Sequence, residues 1–162
     1  MRVVFWSALA AFCADQFSKL IVVQWMNLKE VLAIDVLPPL LNFRMGWNTG
    51  INFGIFASDD AWMRWVLIAV ALIIVALVLW WVNVDPQGKW QKISAGLLVG
   101  GALGNIFDRL IYGAVADFLN MSCCGFTNPT AFNVADIAVF LGAVGLVVFT
   151  SDKNKRQGDL GA

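Results

Sequence analysis

The chain contains no histidine, and only 14% of its 162 residues are charged. The missing imidazole excludes Ser/His and Cys/His nucleophilic catalysis, imidazole zinc sites and a histidine general base together. Cysteine is scarce as well. Cys123 and Cys124 are adjacent, a poor pair for a structural bridge, and Cys13 lies in an apolar run, so no disulfide framework is expected. Lipidation of Cys13 after signal cleavage is disfavoured, because Phe12 puts a bulky ring where such sites want a small residue. The formal net charge is zero, so nothing favours nucleic acid as a partner.

What the chain does have is apolar sequence. Hydrophobic residues make up 60%, well beyond the usual soluble share of about 45–50%. An all-α membrane protein with four transmembrane helices is expected, with spans at about 3–23, 62–82, 93–112 and 132–150. Residues 1–150 then form a single domain, and 151–162 a polar cytoplasmic tail. The first segment carries Asp15 and Lys19 at i, i+4, a pairing more simply structural than catalytic. It fits an uncleaved membrane helix better than a signal peptide. Between the first two spans, Gln24–Ala61 is too polar and broken to cross a bilayer, and about 30–58 is expected to form a surface β-element. Leu41 to Asn48 alternates strictly, which predicts a half-buried strand in a small periplasmic β-element. Asn48 followed by Thr49 and Gly50 reads most simply as a turn.

The second span has eighteen uncharged residues from Trp65 to Val82, with tryptophans at both ends. The third carries Gly96, Gly100 and Gly104 at four-residue spacing, which lets a neighbouring helix approach closely. Lys89 and Lys92 lie in the short loop before it; with Arg2 and the tail cations they place both termini in the cytoplasm.

Within this apolar frame the polar residues converge. Asn105, Asp108 and Arg109 share one helical face, with Arg109 beside Asp108 in an ion-paired supporting role. Asp117 follows just past that helix, and Asp136 lies just inside the next. Asp15 and Asn105 sit roughly 18 Å up their helices, Asp108 and Lys19 roughly 22–24 Å, and Asp136 roughly 6 Å below the outer end of its own. All fall near the outer leaflet. Ionisable groups at such depth are costly, about 2.5–3.5 kcal/mol each at a helix centre, and point to function. Without histidine, two aspartates and a water are the simplest catalytic set, and Asp117 with Asp136 is the expected pair. Residue pattern alone leaves open a proton- or ion-coupled transport element, a structural subunit, or a hard cation held by Asp108, Asp117 and Asp136.

The runs DQFSK at Asp15–Lys19, NTGINFG at Asn48–Gly54, GNIFDR ending at Arg109, GAVADF at Gly113–Phe118 and FNVAD at Phe132–Asp136 stand in order along the chain. Together they resemble the motif blocks of bacterial lipoprotein signal peptidase, signal peptidase II, a family of membrane aspartyl proteases. The resemblance implies removal of the signal peptide from prolipoproteins, with the cut just before a diacylglyceryl-modified cysteine. It implies catalytic roles for Asp117 and Asp136, and substrate-binding or supporting roles for Asn48, Gly50, Asn105, Arg109 and Asn133. Asp15, Lys19 and Asp108 would hold the polar network. It further implies no cofactor and no metal, contact with membrane lipids, inhibition by a globomycin-type cyclic peptide, a monomer, and a site near the periplasmic leaflet of the inner membrane. Asn52, where a small residue is common, and Cys123-Cys124 in the covering loop depart from the usual pattern.

Overall fold

In the computed structural model the described residues are 1–50, 62–84, 88–123, 125 and 128–159, with side chains described to residue 150. The expectations placed on 51–58, including Asn52, on Cys124, and on residues 160–162 of the polar tail fall outside them. Helix α1 (Arg2–Lys19) passes into a π-helical turn, Leu20–Trp25. A single-turn helix, α2 (Leu28–Val31), follows, with left-handed residues on either side: Asn27 at φ 56° and Leu32 at φ 63°. For leucine that conformation costs about 1–2 kcal/mol. Backbone bonds hold it there, since Leu32 donates to the Leu28 carbonyl at 2.8 Å and accepts from Met45 at 2.9 Å.

Strands β1 (Ala33–Leu37) and β2 (Leu41–Asn48) form an antiparallel hairpin, as the alternation predicts. Part of the apolar phase of β2 goes inward, while Trp47 stays nearly half exposed. Phe43 and Met45 pack on a core of Val22, Val23, Leu28, Ala116 and Phe118, so the sheet sits on the end of α1. Helices α3 (Met63–Val84) and α4 (Lys89–Tyr112) come next. Helix α4 closes on Gly113 in the left-handed conformation, φ 80°, and the chain turns straight into β3 (Val115–Asn120). Strand β3 completes a three-stranded sheet in the order β1-β2-β3, antiparallel to β2. This third strand corrects the sequence reading, which confined the β-element to the region before α3 and left Asp117 in a loop. The last helix is α5 (Val134–Asp159).

Helix α4 is the hub, packed against α1, α3 and α5. Its glycines make this possible. A Cβ on Gly100 would overlap the Ala8 backbone of α1, and one on Gly101 would overlap the Ala135 carbonyl of α5. At one end of the bundle Val4, Val82 and Ala95 pack with Leu146. At the other, the end of α1 meets the end of α4 and the start of α5. Thus α1 and α4 run one way, α3 and α5 the other. The outward faces are apolar, with Ile73, Leu77, Phe140 and Val147 all largely exposed. Two helical stretches, Arg2–Trp25 and Met63–Val84, are long and apolar enough to cross a membrane, and Val134–Thr150 is a shorter apolar helix.

Candidate active site

The site is assembled where β3 meets the start of α5. Phe132 pairs with Leu119 in an isolated antiparallel bridge, Leu119 donating at 2.8 Å and accepting at 3.0 Å. This short tie sets FNVAD directly alongside the strand that carries Asp117. Asn133 then caps α5: its Oδ1 accepts the Asp136 backbone N–H at 2.9 Å, and Asp136 Oδ2 accepts the Asn133 N–H at 3.2 Å. The reciprocal pattern is a capping box with aspartate in place of the usual glutamate. Asp136 is thereby aimed by its own helix terminus.

An amide shell joins the two acids. Asn133 Nδ2 lies 2.6 Å from Asp117 Oδ1 and 3.1 Å from Asn105 Oδ1. Asn105 Nδ2 donates to Asp136 Oδ1 at 2.9 Å. Asn48 Nδ2 donates to the other oxygen of Asp117 at 3.0 Å, while its Oδ1 accepts the Gly50 N–H at 3.0 Å. Asn48 is therefore both the turn residue its context suggests and a partner of the acid. Asn133 is fully buried and Asp117 nearly so. Burial, reinforced by the neighbouring Asp136 charge, pushes the Asp117 carboxyl up from 3.8 to about 7, against the pull of the Asn48 and Asn133 donors. Arg109 donates to the Gly50 carbonyl at 2.7 Å, with its charge facing both acids.

Beneath the amide shell lies an ionic cluster. Lys19 Nζ is 2.7 Å from Asp15 Oδ2 and 2.8 Å from Asp108 Oδ2, all three buried. Gln16 Nε2 donates to both carboxylates at 3.0 Å, a bridge the sequence reading passed over. Asp108 is thus ion-paired with Lys19 rather than with Arg109, which corrects the pairing expected from adjacency. One residue apart on a helix is a 100° turn, so neighbours aim at different partners. Each carboxylate also accepts a backbone N–H: Asp108 Oδ2 from Ala116 at 3.1 Å and Asp15 Oδ1 from Ala135 at 2.9 Å. Those are the residues immediately before Asp117 and Asp136. The cluster therefore grips the main chain behind both acids.

Two carboxylates in an amide shell, Asp117 buried and Asp136 half-buried, with Asp117 held protonatable near neutrality, can activate a water and donate a proton in one step. Among the described residues no group of three His, Cys, Asp or Glu side chains could hold a metal ion.

The chain is similar over most of its length to several known proteins. A lipoprotein signal peptidase of Alteromonas mediterranea is 38% identical over 144 residues, covering 88% of this chain and 77% of that one. Those of Vibrio vulnificus and Pseudomonas aeruginosa are 34% and 30% identical, covering 94% and 95% of this chain and 89% and 90% of theirs. A bacterial membrane enzyme solved by the in meso method at 2.3 Å shares the fold, with a TM-score of 0.81, 24% identity and coverage of 96% of this chain and 92% of that one. A second, solved at 1.9 Å, gives 0.76, with 23% identity and coverage of 91% and 92%. The model of the family described as signal peptidase (SPase) II matches residues 7–151, and the chain belongs to that family of membrane enzymes.

Proposed function

We propose that this enzyme cleaves diacylglyceryl-modified prolipoproteins immediately before the lipidated cysteine, with Asp117 and Asp136 as the catalytic pair. The observation that carries the reading is the side chain of Asn133, which ties the two acids into one network with Asn105. Asp117, held near 7, carries the shared proton at neutral pH. Asp136 takes a proton from water as the oxygen attacks the scissile carbonyl, while Asp117 donates to the carbonyl oxygen. The resulting intermediate collapses as a proton passes to the leaving amine, which frees the lipidated cysteine as a new N-terminus.

Four spans, formed by α1 with its π-helical turn, α3, α4 and the apolar part of α5, place this pair near the outer leaflet. Both termini are cytoplasmic in this reading, supported by Lys89 and Lys92, which stand in the first turn of α4 rather than in the loop before it. The enzyme works as a single chain, and a globomycin-type cyclic peptide would compete for the same site. The apolar outer faces suit a substrate that arrives with acyl chains already in the bilayer.

The test is purified enzyme in lipid with a diacylglyceryl-modified precursor. Cleavage before the modified cysteine is expected, with Asp117→Asn or Asp136→Asn lowering the rate by about 10²–10⁴. Wild-type cleavage in either variant would remove the pair from the mechanism. A periplasm-active reporter fused to the C-terminus should be silent, and signal from it would reverse the orientation.

A further inference from the structure

Helices α1 and α4 enclose between them a groove of about 630 Å³ lined only by apolar side chains. Its floor holds Val4, Val99 and Ile106, all buried, and its rims carry Phe5, Leu9 and Leu103, all exposed. The rings of Phe12 and Phe107 meet between the two helices with centroids 5.8 Å apart. Among the described residues, none from α3 or α5 lines the groove. Leu103 and Phe107 each lie two residues from Asn105, about 200° around the helix, so the groove and the acids occupy opposite faces of α4.

One end of the groove carries charge. Lys92 precedes Val99, Leu103, Ile106 and Leu110 by 7, 11, 14 and 18 residues, each close to a whole number of helical turns. It therefore stands on the groove's own face of α4. On α1, Arg2 precedes Phe5 and Leu9 by three and seven residues, on their side of the helix. Close packing fixes the heights. A Cβ on Gly96 would overlap Ser7 and the Val4 carbonyl, and the two helices run parallel, so Arg2 and Lys92 stand level, each about one turn before that contact. Arg2 is exposed and Lys92 half-buried, and neither has an ion pair among the described residues.

We infer that this groove holds an acyl chain of one anionic phospholipid from the leaflet at that end, with the phosphate between Arg2 and Lys92. The inference takes α1 and α4 as membrane spans, as proposed above. Two other occupants fit less well. A second copy inserted the same way would bring its own Arg2 and Lys92 to the same height, cation against cation. The precursor has to reach the acids, which lie on the opposite face of α4. A phospholipid matches both parts of the site, its chain against the apolar walls and its charge against a basic end between two helices. Seated there, it would brace the α1–α4 contact that carries Asp15, Lys19 and Asp108.

The test uses the full chain in detergent micelles, titrated with dioleoyl phosphatidylglycerol or dioleoyl phosphatidylcholine, which share their acyl chains and differ in charge. Native mass spectrometry counts bound lipid, and thermal unfolding is followed in parallel. Wild type should retain one phosphatidylglycerol, about five- to thirtyfold more tightly than phosphatidylcholine, as one or two cations beside a phosphate imply. Saturation with it should raise the unfolding temperature by about 2–4 °C. Arg2→Gln with Lys92→Gln should bring the ratio close to one, whereas Lys29→Gln, a cation at the other end of the bundle, should leave it unchanged. Ala8→Leu, which fills the groove, should lose the bound lipid of either kind. The two charge changes fall on positions that are not buried, so they keep the test decisive should Ala8→Leu fold poorly. Equal retention of the two lipids, a preference that survives the double change, or a dimer without lipid as the retained species would overturn the inference. Lipid retained in this way by a protein that cleaves no precursor would support it and fault the cleavage reading alone.

Discussion

Asn133 donates its side-chain amide to Asp117 at 2.6 Å while accepting the main-chain N–H of Asp136 at 2.9 Å. One residue thus performs two separable tasks: it caps α5, and it spans the two acids. Serine caps nearly as well as asparagine but is too short to reach Asp117. Asn133→Ser should therefore leave thermal stability within about 1 kcal/mol of wild type and lower kcat at least tenfold. Asn133→Ala should lose both, with about 0.5–2 kcal/mol from the cap alone. Thermal unfolding in detergent and turnover on the lipidated precursor separate the two. Equal activity in the serine variant would show that the amide bridge is dispensable.

The raised Asp117 carboxyl makes both rate and stability depend on pH, in a stated direction. Between its ordinary 3.8 and its folded value of about 7, the native protein binds more protons than the unfolded chain. Its contribution to stability is therefore full below about pH 4 and is lost as pH rises through about 7. Asp117→Asn should flatten that part of the stability profile. Turnover that needs the proton on Asp117 should fall above pH 7 in the same way. Asn48 donates to the charged form and holds the value down, so Asn48→Ala should move the alkaline limb to higher pH. A limb that stays in place would mean that another group sets it.

Lys19 neutralises two buried carboxylates at once. Lys19→Met would leave Asp15 and Asp108 facing each other without a cation and should cost about 3–5 kcal/mol. The double change Lys19→Met with Asp108→Asn should recover part of that loss. If Lys19→Met unfolds at the wild-type temperature, the cluster contributes nothing to holding the bundle.

Gly104 lies where α4, α1 and α5 meet. A Cβ there would stand 2.7 Å from Asp15 Oδ2 and 3.4 Å from Ala135 Cβ. Gly104→Ala should therefore strain the bundle by about 1–3 kcal/mol and lower activity through the displaced Asp15. Unchanged unfolding and turnover would show that the helices relax at no cost.

The helices were legible because their signals are local. Trp65 to Val82 is a long uncharged run, the glycines of α4 keep a four-residue spacing, and Leu41 to Asn48 alternates. Where Asp117, Asp136 and Asn133 lie in the chain was legible too, from short motifs. What sequence order hid was decided by registers and angles between distant elements. Strand β3 is only six residues long and buried on both sides, so it has no alternation to betray it. Asp108 turned to Lys19 because α1 packs on that side of α4, which adjacency to Arg109 did not reveal. Asn42 and Asn120 came together only through a bulge that no spacing rule announces.

The grip of Asp108 and Asp15 on the main chain at Ala116 and Ala135 draws on the first helix, the fourth and the fifth, with the last strand between them. A nascent copy still threading into the bilayer has no C-terminal helix to dock, and so no aligned acids. Ala135 and Asp136 reach their places beside Asp15 and Asn105 only with α5 docked, so the pair belongs to the assembled bundle and to no part of it alone.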